Sequence, residues 1–128
     1  MTGRPRVLER VHQAHIVEAL RKVGAKVYVI GRPPRRDAVH KGTGQTPGIP
    51  DLLAHVPHAP DLRVGAHELW IEVKAKGGRL REEQAAFRDF CRLAGSPHIV
   101  GGLDEVLLYL LQHGYLKETA HYRKAGAE

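Results

Sequence analysis

The chain has 128 residues, about the size of one ordinary domain. This length predicts a single domain over residues 1–128. No apolar run approaches the roughly 20 residues of a membrane-spanning helix, and the N-terminus does not resemble a secretory signal. We therefore expect a cytoplasmic protein with no membrane partner. The formal net charge of +6 favours a polyanionic partner such as nucleic acid, although a basic surface that aids solubility is the alternative.

The first part of the chain predicts a helix, a strand and a loop. Residues 8–23 predict a helix, because apolar residues recur at helical spacing and a glycine follows as a stop signal. Residues 25–30 are rich in β-branched side chains and predict a strand. Residues 31–47 are polar and predict a long loop, which in a small domain is often functional, with disorder as the alternative.

The rest of the chain predicts three strands and two helices. The strands are expected at residues 51–56, 67–75 and 96–100, and the helices at residues 79–94 and 103–114. The order αβββαβα predicts an α/β fold in which helices flank a mixed sheet. The core is expected over about residues 8–113, with residues 114–128 as a C-terminal tail. A single cysteine, Cys91, is interpreted as a buried helical thiol, since it has no partner for an internal disulfide.

Charged residues interrupt two otherwise apolar segments. Polar and aliphatic side chains alternate along residues 67–75, which places Glu72 and Lys74 on one face of the predicted strand. Asp51 begins the strand that is expected to pair with it. Two carboxylates can therefore converge, with an ammonium group beside them.

Two adjacent carboxylates repel and take up a proton unless a cation neutralises them. Mg²⁺ suits such a pair, because it takes oxygen ligands and is commonly held by one or two carboxylates together with substrate phosphate. Lys74 is a poor metal ligand, so its expected partners are an attacking water or the negative charge on a phosphodiester being cut. The structural alternatives are a turn at Asp51 and an exposed pair of Glu72 and Lys74.

Two further polar residues lie on inward-facing stripes of predicted helices. Glu9 continues the apolar stripe of the first helix, where an acid in the first turn also offsets the helix dipole. Gln84 faces inward on the helix that follows the Gly-Gly turn. Its amide could orient a water or a phosphate, or satisfy a local backbone group.

The segments GIPDLL (48–53) and WIEVKAKGGRLREEQAAF (70–87) resemble the PD-(D/E)xK nuclease superfamily, and more closely its stand-alone VRR-NUC domains from phages and bacteria. That family shows an acid on its first helix, a G-x-PD motif, an E-x-K strand and a glutamine on the helix after a GGR-type turn. The matching residues here are Glu9, Asp51, Glu72, Lys74 and Gln84. The resemblance extends from Glu9 to about Leu110 and implies a restriction-endonuclease-like fold.

The resemblance also implies a function. Family members are metal-dependent DNA endonucleases, and the small stand-alone ones resemble homodimeric enzymes that act on branched DNA such as Holliday junctions. The implied ligands of Mg²⁺ or Mn²⁺ are Asp51, Glu72, the backbone carbonyl of Val73, and Glu9. Lys74 would position the attacking water, and Gln84 would orient that water or Lys74. The implied setting is the cytoplasm of a bacterial or phage-infected cell.

Alternatives remain at three points. Glu18 lies on the same helix as Glu9 and is the other candidate for the first-helix acid. A non-catalytic module that binds branched DNA would share the fold. A nicking or restriction-like nuclease would share the chemistry and differ in substrate.

Two basic segments, at residues 31–42 and 74–81, flank the predicted site and are expected to contact DNA. Their assigned cations are Arg32, Arg35, Arg36, Lys41, Lys76, Arg79 and Arg81. A dimer interface is expected on the last helix. The apolar residues assigned to it are Val106, Leu107, Leu110 and Leu111, with packing on the chain's own sheet as the alternative.

Overall fold

The computed structural model describes residues 4–31, 46–58 and 66–116, with side chains from Glu9 onward. Its helices and strands, in chain order, are α1 Arg4–Lys22, β1 Lys26–Val29, β2 Leu52–Val56, β3 His67–Val73, α2 Glu82–Ala94, β4 His98–Gly101 and α3 Leu103–Gln112. The predicted order αβββαβα is confirmed. None of the described helices is both long and apolar enough to cross a bilayer.

The four strands form one mixed sheet in the order β1-β2-β3-β4. The pairs β1/β2 and β2/β3 are antiparallel, while β3 and β4 are parallel and are joined through α2. Because β2 runs opposite to β3 and β4, β2 starts at the end of the sheet where β3 and β4 finish. The predicted acids lie at that end of the sheet.

One face of the sheet packs against α1 and α3 in an aliphatic core. The fully buried members of this core include Ile16, Leu20, Leu52, Ala54, Val56, Leu69, Ile71, Val106 and Leu110. The other face carries α2, where the ring of Phe87 lies edge-on to Trp70 with 5.0 Å between centroids. Cys91 is buried on α2, and burial raises the pKa of its thiol, as expected for a packing residue.

Several boundaries differ from the sequence prediction, and three differences concern the site or the packed part of the chain. Strand β3 ends at Val73, two residues early, and the N–H of Lys74 donates to the carbonyl of Gly101. Helix α2 begins at Glu82 after an extended Arg81. Tyr115, which was assigned to the tail, donates from its hydroxyl to the carbonyl of Pro57 at 2.8 Å, so the packed part of the chain extends past residue 113.

The last helix covers its own sheet more fully than the dimer prediction assumed. Val106 and Leu110 are completely buried in the core, which leaves Leu107 and Leu111 half-buried. The most exposed large apolar side chains among the described residues are instead Phe90 and Leu93 of α2, at 69% and 84%. The homodimer stays a prediction.

Candidate active site

The site lies where the start of β2 meets the end of β3. The antiparallel register pairs Leu52 with Ile71, so one residue further along Asp51 stands opposite Glu72 on the face covered by α2. Side chains directly opposite one another in such a pair have Cβ atoms about 5 Å apart, and like charges there are destabilising. The structure therefore brings together the two carboxylates that the sequence predicted.

Asp51 is fixed by contacts on two sides. Its Oδ2 accepts a hydrogen bond from the N–H of Val73 at 2.8 Å, and its carbonyl accepts from the N–H groups of Ile30 and Gly31. A Cβ on Gly31 would approach the Cα of Asp51 to 2.7 Å, so the chain passes Asp51 more closely than any side chain would permit. Asp51 is thus bonded across the sheet to β3, which a simple turn residue would not require.

The turn before Asp51 packs against the first turn of α2. Gly48 has φ +83°, and a Cβ there would collide with the backbone of Glu83. Both the left-handed conformation and the close approach require glycine at this position. The G-x-PD sequence thereby fixes the start of β2 against the N-terminal end of α2.

Glu72 is buried, with 3% of its surface exposed, so the alternative of an exposed Glu72–Lys74 pair is wrong. Burial raises the pKa of its carboxyl to about 9, and hydrogen bonding to Asp51 and repulsion by Asp51 act in the same direction. The charges of Lys74 and Arg81 lower this pKa without offsetting the rise. Without a further cation, Glu72 therefore carries a proton at neutral pH.

A divalent cation fits this donor set. Two carboxylates that are held in register and disfavoured as a pair of anions are the oxygen ligands that Mg²⁺ and Mn²⁺ prefer. Val73 lies between them in the fold, with its N–H bonded to Asp51 and its side chain in the aliphatic core. Asp51 and Glu72 are the residues that could hold the metal.

Lys74 lies beside the pair and lines a cavity of about 390 Å³. The other residues around this cavity are His12, His15, Lys76, Gly102, Leu103, Asp104 and Glu105. The two histidines stand three residues apart on α1, a spacing that places them on one helix face. No role was predicted for them, although that spacing was the available signal.

Gln84 caps its own helix. It is buried, and its Oε1 accepts a hydrogen bond from the N–H of Arg81 at 2.8 Å. A glutamine at the third position of a helix that bonds back to the residue before the helix satisfies one of the free N–H groups there. Of the two roles considered for Gln84, its oxygen therefore has the structural one, which is to satisfy a nearby backbone N–H group.

Glu9 is half-buried on α1 and does not join the two carboxylates. Among the described residues no three His, Cys, Asp or Glu side chains come together as a metal-binding group. Glu18, the alternative acid, is exposed and pairs with Lys22 at 3.4 Å. Of the five residues assigned to catalysis, the structure gathers Asp51, Glu72 and Lys74.

The basic residues assigned to DNA contact divide into two groups. Arg32, Arg35, Arg36 and Lys41 lie outside the described residues. Lys76, Arg79 and Arg81 are exposed on the turn between β3 and α2. Arg81 is near enough to Glu72 for its charge to lower the pKa of that carboxyl, so this turn borders the carboxylate pair.

Comparison with known proteins supports the fold. No protein-family model matches the chain, and neither does any curated protein. A solved structure described as a VRR_NUC domain matches with a TM-score of 0.57 and 21% sequence identity, over 82% of this chain and 95% of that one. The chain therefore has the fold of a VRR-NUC domain, as the motifs in its sequence predicted.

Proposed function

We propose that the chain is a nuclease, specifically a DNA endonuclease that depends on Mg²⁺ or Mn²⁺ and hydrolyses phosphodiester bonds. The observation that carries the proposal is the buried pair of Asp51 and Glu72 beside Lys74. Burying Glu72 opposite a second acid costs free energy, and a purely structural site would gain from a neutral residue there. The arrangement is favourable once a divalent cation is held between the acids.

The metal, when bound, would act as a Lewis acid on a phosphate oxygen and on a water molecule. Asp51 would hold it with the carboxylate oxygen that is not bonded to Val73. Glu72 would release its proton on metal binding and offer its carboxylate as the second ligand. The N–H of Val73 keeps Asp51 oriented toward the pair.

Lys74 has the second role in the proposed reaction. A water oxygen attacks phosphorus, the bond from phosphorus to the leaving oxygen breaks, and the water gives up a proton while the leaving oxygen gains one. The Lys74 ammonium would position the water and stabilise the negative charge that grows on the phosphate oxygens. The exposed Lys76, Arg79 and Arg81 would hold the nucleic-acid backbone next to the pair.

Branched DNA and a homodimer complete the proposal, and both rest on the sequence resemblance. A four-way junction has strands related by approximate two-fold symmetry, so two matching cuts are most simply made by a symmetric dimer. Sedimentation at micromolar concentration, with and without a four-way junction, tests the dimer. A monomer in both conditions would leave an enzyme that nicks one strand at a time.

The decisive experiment is a cleavage assay on four-way junction, flap, nicked and linear duplex DNA in Mg²⁺, Mn²⁺ and a chelator. We expect cleavage only with metal, and faster on branched DNA than on the linear duplex. Asp51→Asn is the matched control, because it keeps the size and the acceptor for Val73 while removing the charge. Equal cleavage by that variant, or none by the wild-type chain on any substrate, would contradict the nuclease proposal.

One observation favours a second candidate, a non-catalytic module that binds branched DNA. Glu9 does not join Asp51 and Glu72, so the described residues supply two acids for a metal and not three. Such a module would bind the junction in the same assay and leave every strand intact in both metals. The two candidates are therefore separated by cleavage alone.

A further inference from the structure

A groove that carries two arginines lies along β4, on the α2 side of the sheet. It has a volume of about 270 Å³ and is lined by Arg88, Arg92, Ser96, His98 and Val100. Strand β4 is the edge strand of the described sheet, so this arginine groove runs between the edge and the second half of α2. Among the described residues assigned to DNA contact from the sequence, Lys76, Arg79 and Arg81 do not line it.

Hydrogen-bond donors and positive charge converge in the arginine groove. Arg88 and Arg92 stand one turn apart on α2, and His98 faces them from β4. Asp89 pairs with both arginines, with 3.0 Å to Arg88 and 3.8 Å to Arg92. The single negative charge of Asp89 offsets one of the two arginine charges, so about one unit of positive charge remains beside the half-buried imidazole of His98.

The pKa of His98 responds to this positive charge. Burial lowers the pKa of its imidazole, and the charges of Arg88 and Arg92 lower it further. The ring also lies 6.0 Å from Phe87, which fixes its place at the inner wall of the groove. An anion in the groove would offset the two guanidinium charges and favour the protonated ring.

The arrangement exceeds what packing or helix electrostatics requires. Arg92, in the last turn of α2, offsets the negative end of the helix dipole, but Arg88 stands one turn earlier. The Arg88 side chain is only 31% exposed, so it lies partly along the groove. Arg88 already donates from Nε to Asp89 at 3.1 Å. The donors left for a phosphate are its remaining guanidinium N–H groups, the Arg92 guanidinium, the serine hydroxyl and the imidazole, which together can form several hydrogen bonds.

The groove is close to the carboxylate pair. The parallel register of β3 and β4 pairs Glu72 with Val100 and Trp70 with His98. With strands about 4.8 Å apart and about 3.3 Å per residue, the Cα atoms of Glu72 and His98 are roughly 8 Å apart. A nucleic-acid strand rises about 3.4 Å per nucleotide along its axis and its phosphates are farther apart than that rise, so this distance corresponds to a few nucleotides at most.

We propose that the arginine groove binds a backbone phosphate of the nucleic acid, within a few nucleotides of the bond held at Asp51 and Glu72. The identity of this ligand rests on the proposed function. The groove would fix the path of the strand across the α2 face, while the turn that carries Arg79 and Arg81 holds the phosphates next to the pair. The ligand chemistry is a phosphate diester, for which inorganic phosphate serves as the minimal probe.

The first test uses inorganic phosphate and the full chain. The imidazole signals of His98 are followed by NMR across pH with and without phosphate, and we expect phosphate to raise the pKa of His98. The variant Arg88→Gln/Arg92→Gln should abolish that rise. The matched control, Arg21→Gln/Lys26→Gln, removes two exposed cations at the opposite, β1 edge and should leave the rise intact. No rise in the wild-type chain would overturn the site.

The second test measures duplex DNA binding in a chelator over a range of salt. Arg88→Gln/Arg92→Gln removes the proposed phosphate contact. This variant should bind on the order of tenfold more weakly, and its slope of log K against log salt should be smaller by about one. Arg88→Lys/Arg92→Lys keeps the charge and loses the guanidinium fork, so its affinity for DNA should lie between that of the wild-type chain and that of the glutamine variant. An equal loss in the β1-edge control would overturn the groove as a specific site, and an unchanged affinity would overturn its assignment to nucleic acid.

The outcomes also separate this inference from the nuclease proposal. A chain that binds DNA through the arginine groove but cuts no substrate would keep the groove and lose the nuclease function. A chain whose cleavage, binding and salt slope are the same with and without the two arginines would keep the function and lose the groove.

Discussion

Two neighbouring residues of strand β3, Ile71 and Glu72, are buried on opposite faces of the sheet to a similar extent and with opposite energetic consequences. On one face, Leu69 and Ile71 are fully buried between α1 and α3, where each square ångström removed from water contributes about 25 cal/mol of stability. On the other face, Glu72 is 3% exposed, opposite Asp51, and its charged form is strongly disfavoured. The residue next to a stabilising core position is therefore one that costs stability.

This difference separates the part of the strand that holds the fold from the part proposed to act on substrate. Replacing a core residue should harm the fold first and cleavage only as a consequence. Replacing Glu72 by a neutral residue of similar size should do the reverse. Variants of neighbouring residues on this strand can therefore show whether the two faces have separate roles.

The largest expected effect is that of Glu72→Gln. Cleavage should fall by at least about a thousandfold, because the proposed metal loses a ligand, while DNA binding stays equal or becomes stronger. The free energy of unfolding at pH 8 in a chelator should rise, because the amide is neutral at any pH, whereas Glu72 must take up a proton to be buried uncharged. Cleavage and chemical denaturation measure the two quantities, and cleavage at the wild-type rate would exclude Glu72 from the site.

Lys74→Ala should follow, with cleavage reduced by about 10²–10³-fold and a fold that survives. The backbone N–H of Lys74, which bonds Gly101, is unchanged by the substitution. Single-turnover rates in saturating metal, together with circular dichroism, separate the chemical role from a structural one. Unfolding of the variant would show that the lysine serves the fold.

Ile71→Ala tests the opposite face. Its side chain is fully buried in the aliphatic core, so we expect a loss of about 2–5 kcal/mol in the free energy of unfolding. Below its melting temperature the variant should cleave DNA at close to the wild-type rate. Loss of cleavage in a fully folded Ile71→Ala chain would show that the two faces are not separable.

Stability of the metal-free chain should depend on pH through Glu72. Its pKa is raised from 4.5 to about 9, so between these values the folded chain binds a proton that the unfolded chain has released. The free energy of unfolding should therefore fall as pH rises from about 4.5 to about 9. Denaturation at several pH values in a chelator measures this fall, and Glu72→Gln should flatten it. An equally steep fall in that variant would assign it to another group.

The smallest effect is expected for Gln84→Ala. The change removes the hydrogen bond to the N–H of Arg81 and should cost about 1 kcal/mol of stability. Gln84→Glu keeps a side-chain oxygen that accepts from the N–H of Arg81, so its stability should be close to that of the wild-type chain. Cleavage should change by less than tenfold in both variants. A much larger loss of cleavage in a stable Gln84→Ala chain would restore the catalytic role that the sequence suggested.

The sequence predicted the features that depend on local pattern. Alternation along β3 placed Glu72 and Lys74 together, and the turn before Asp51 indicated the partner strand. The sequence left two roles open for Gln84, and the choice between them depends on the residue at which α2 begins. The position of Glu9 depends on how α1 lies along the sheet, which helical periodicity does not determine.

The arginine groove was hidden from the sequence for a different reason. Arg88 and Arg92 fall on one predicted helix and His98 on the next predicted strand, with no motif that links them. Their proximity depends on the parallel pairing that returns β4 to the side of β3 beneath α2. A pattern within one segment carries no information on that return.

The aliphatic core joins residues that are far apart in the order of synthesis. Ile16 on α1 packs in the same cluster as Val106 on α3, which is 106 − 16 = 90 residues later in the chain. At 5–20 residues per second, a ribosome takes roughly 5 to 18 s to add that length. Throughout this interval the apolar stripe of α1 on the nascent chain lacks its partner from α3. Slower translation lengthens the exposure, so yield in a cell should depend on chaperones that shield the first helix until the last one emerges.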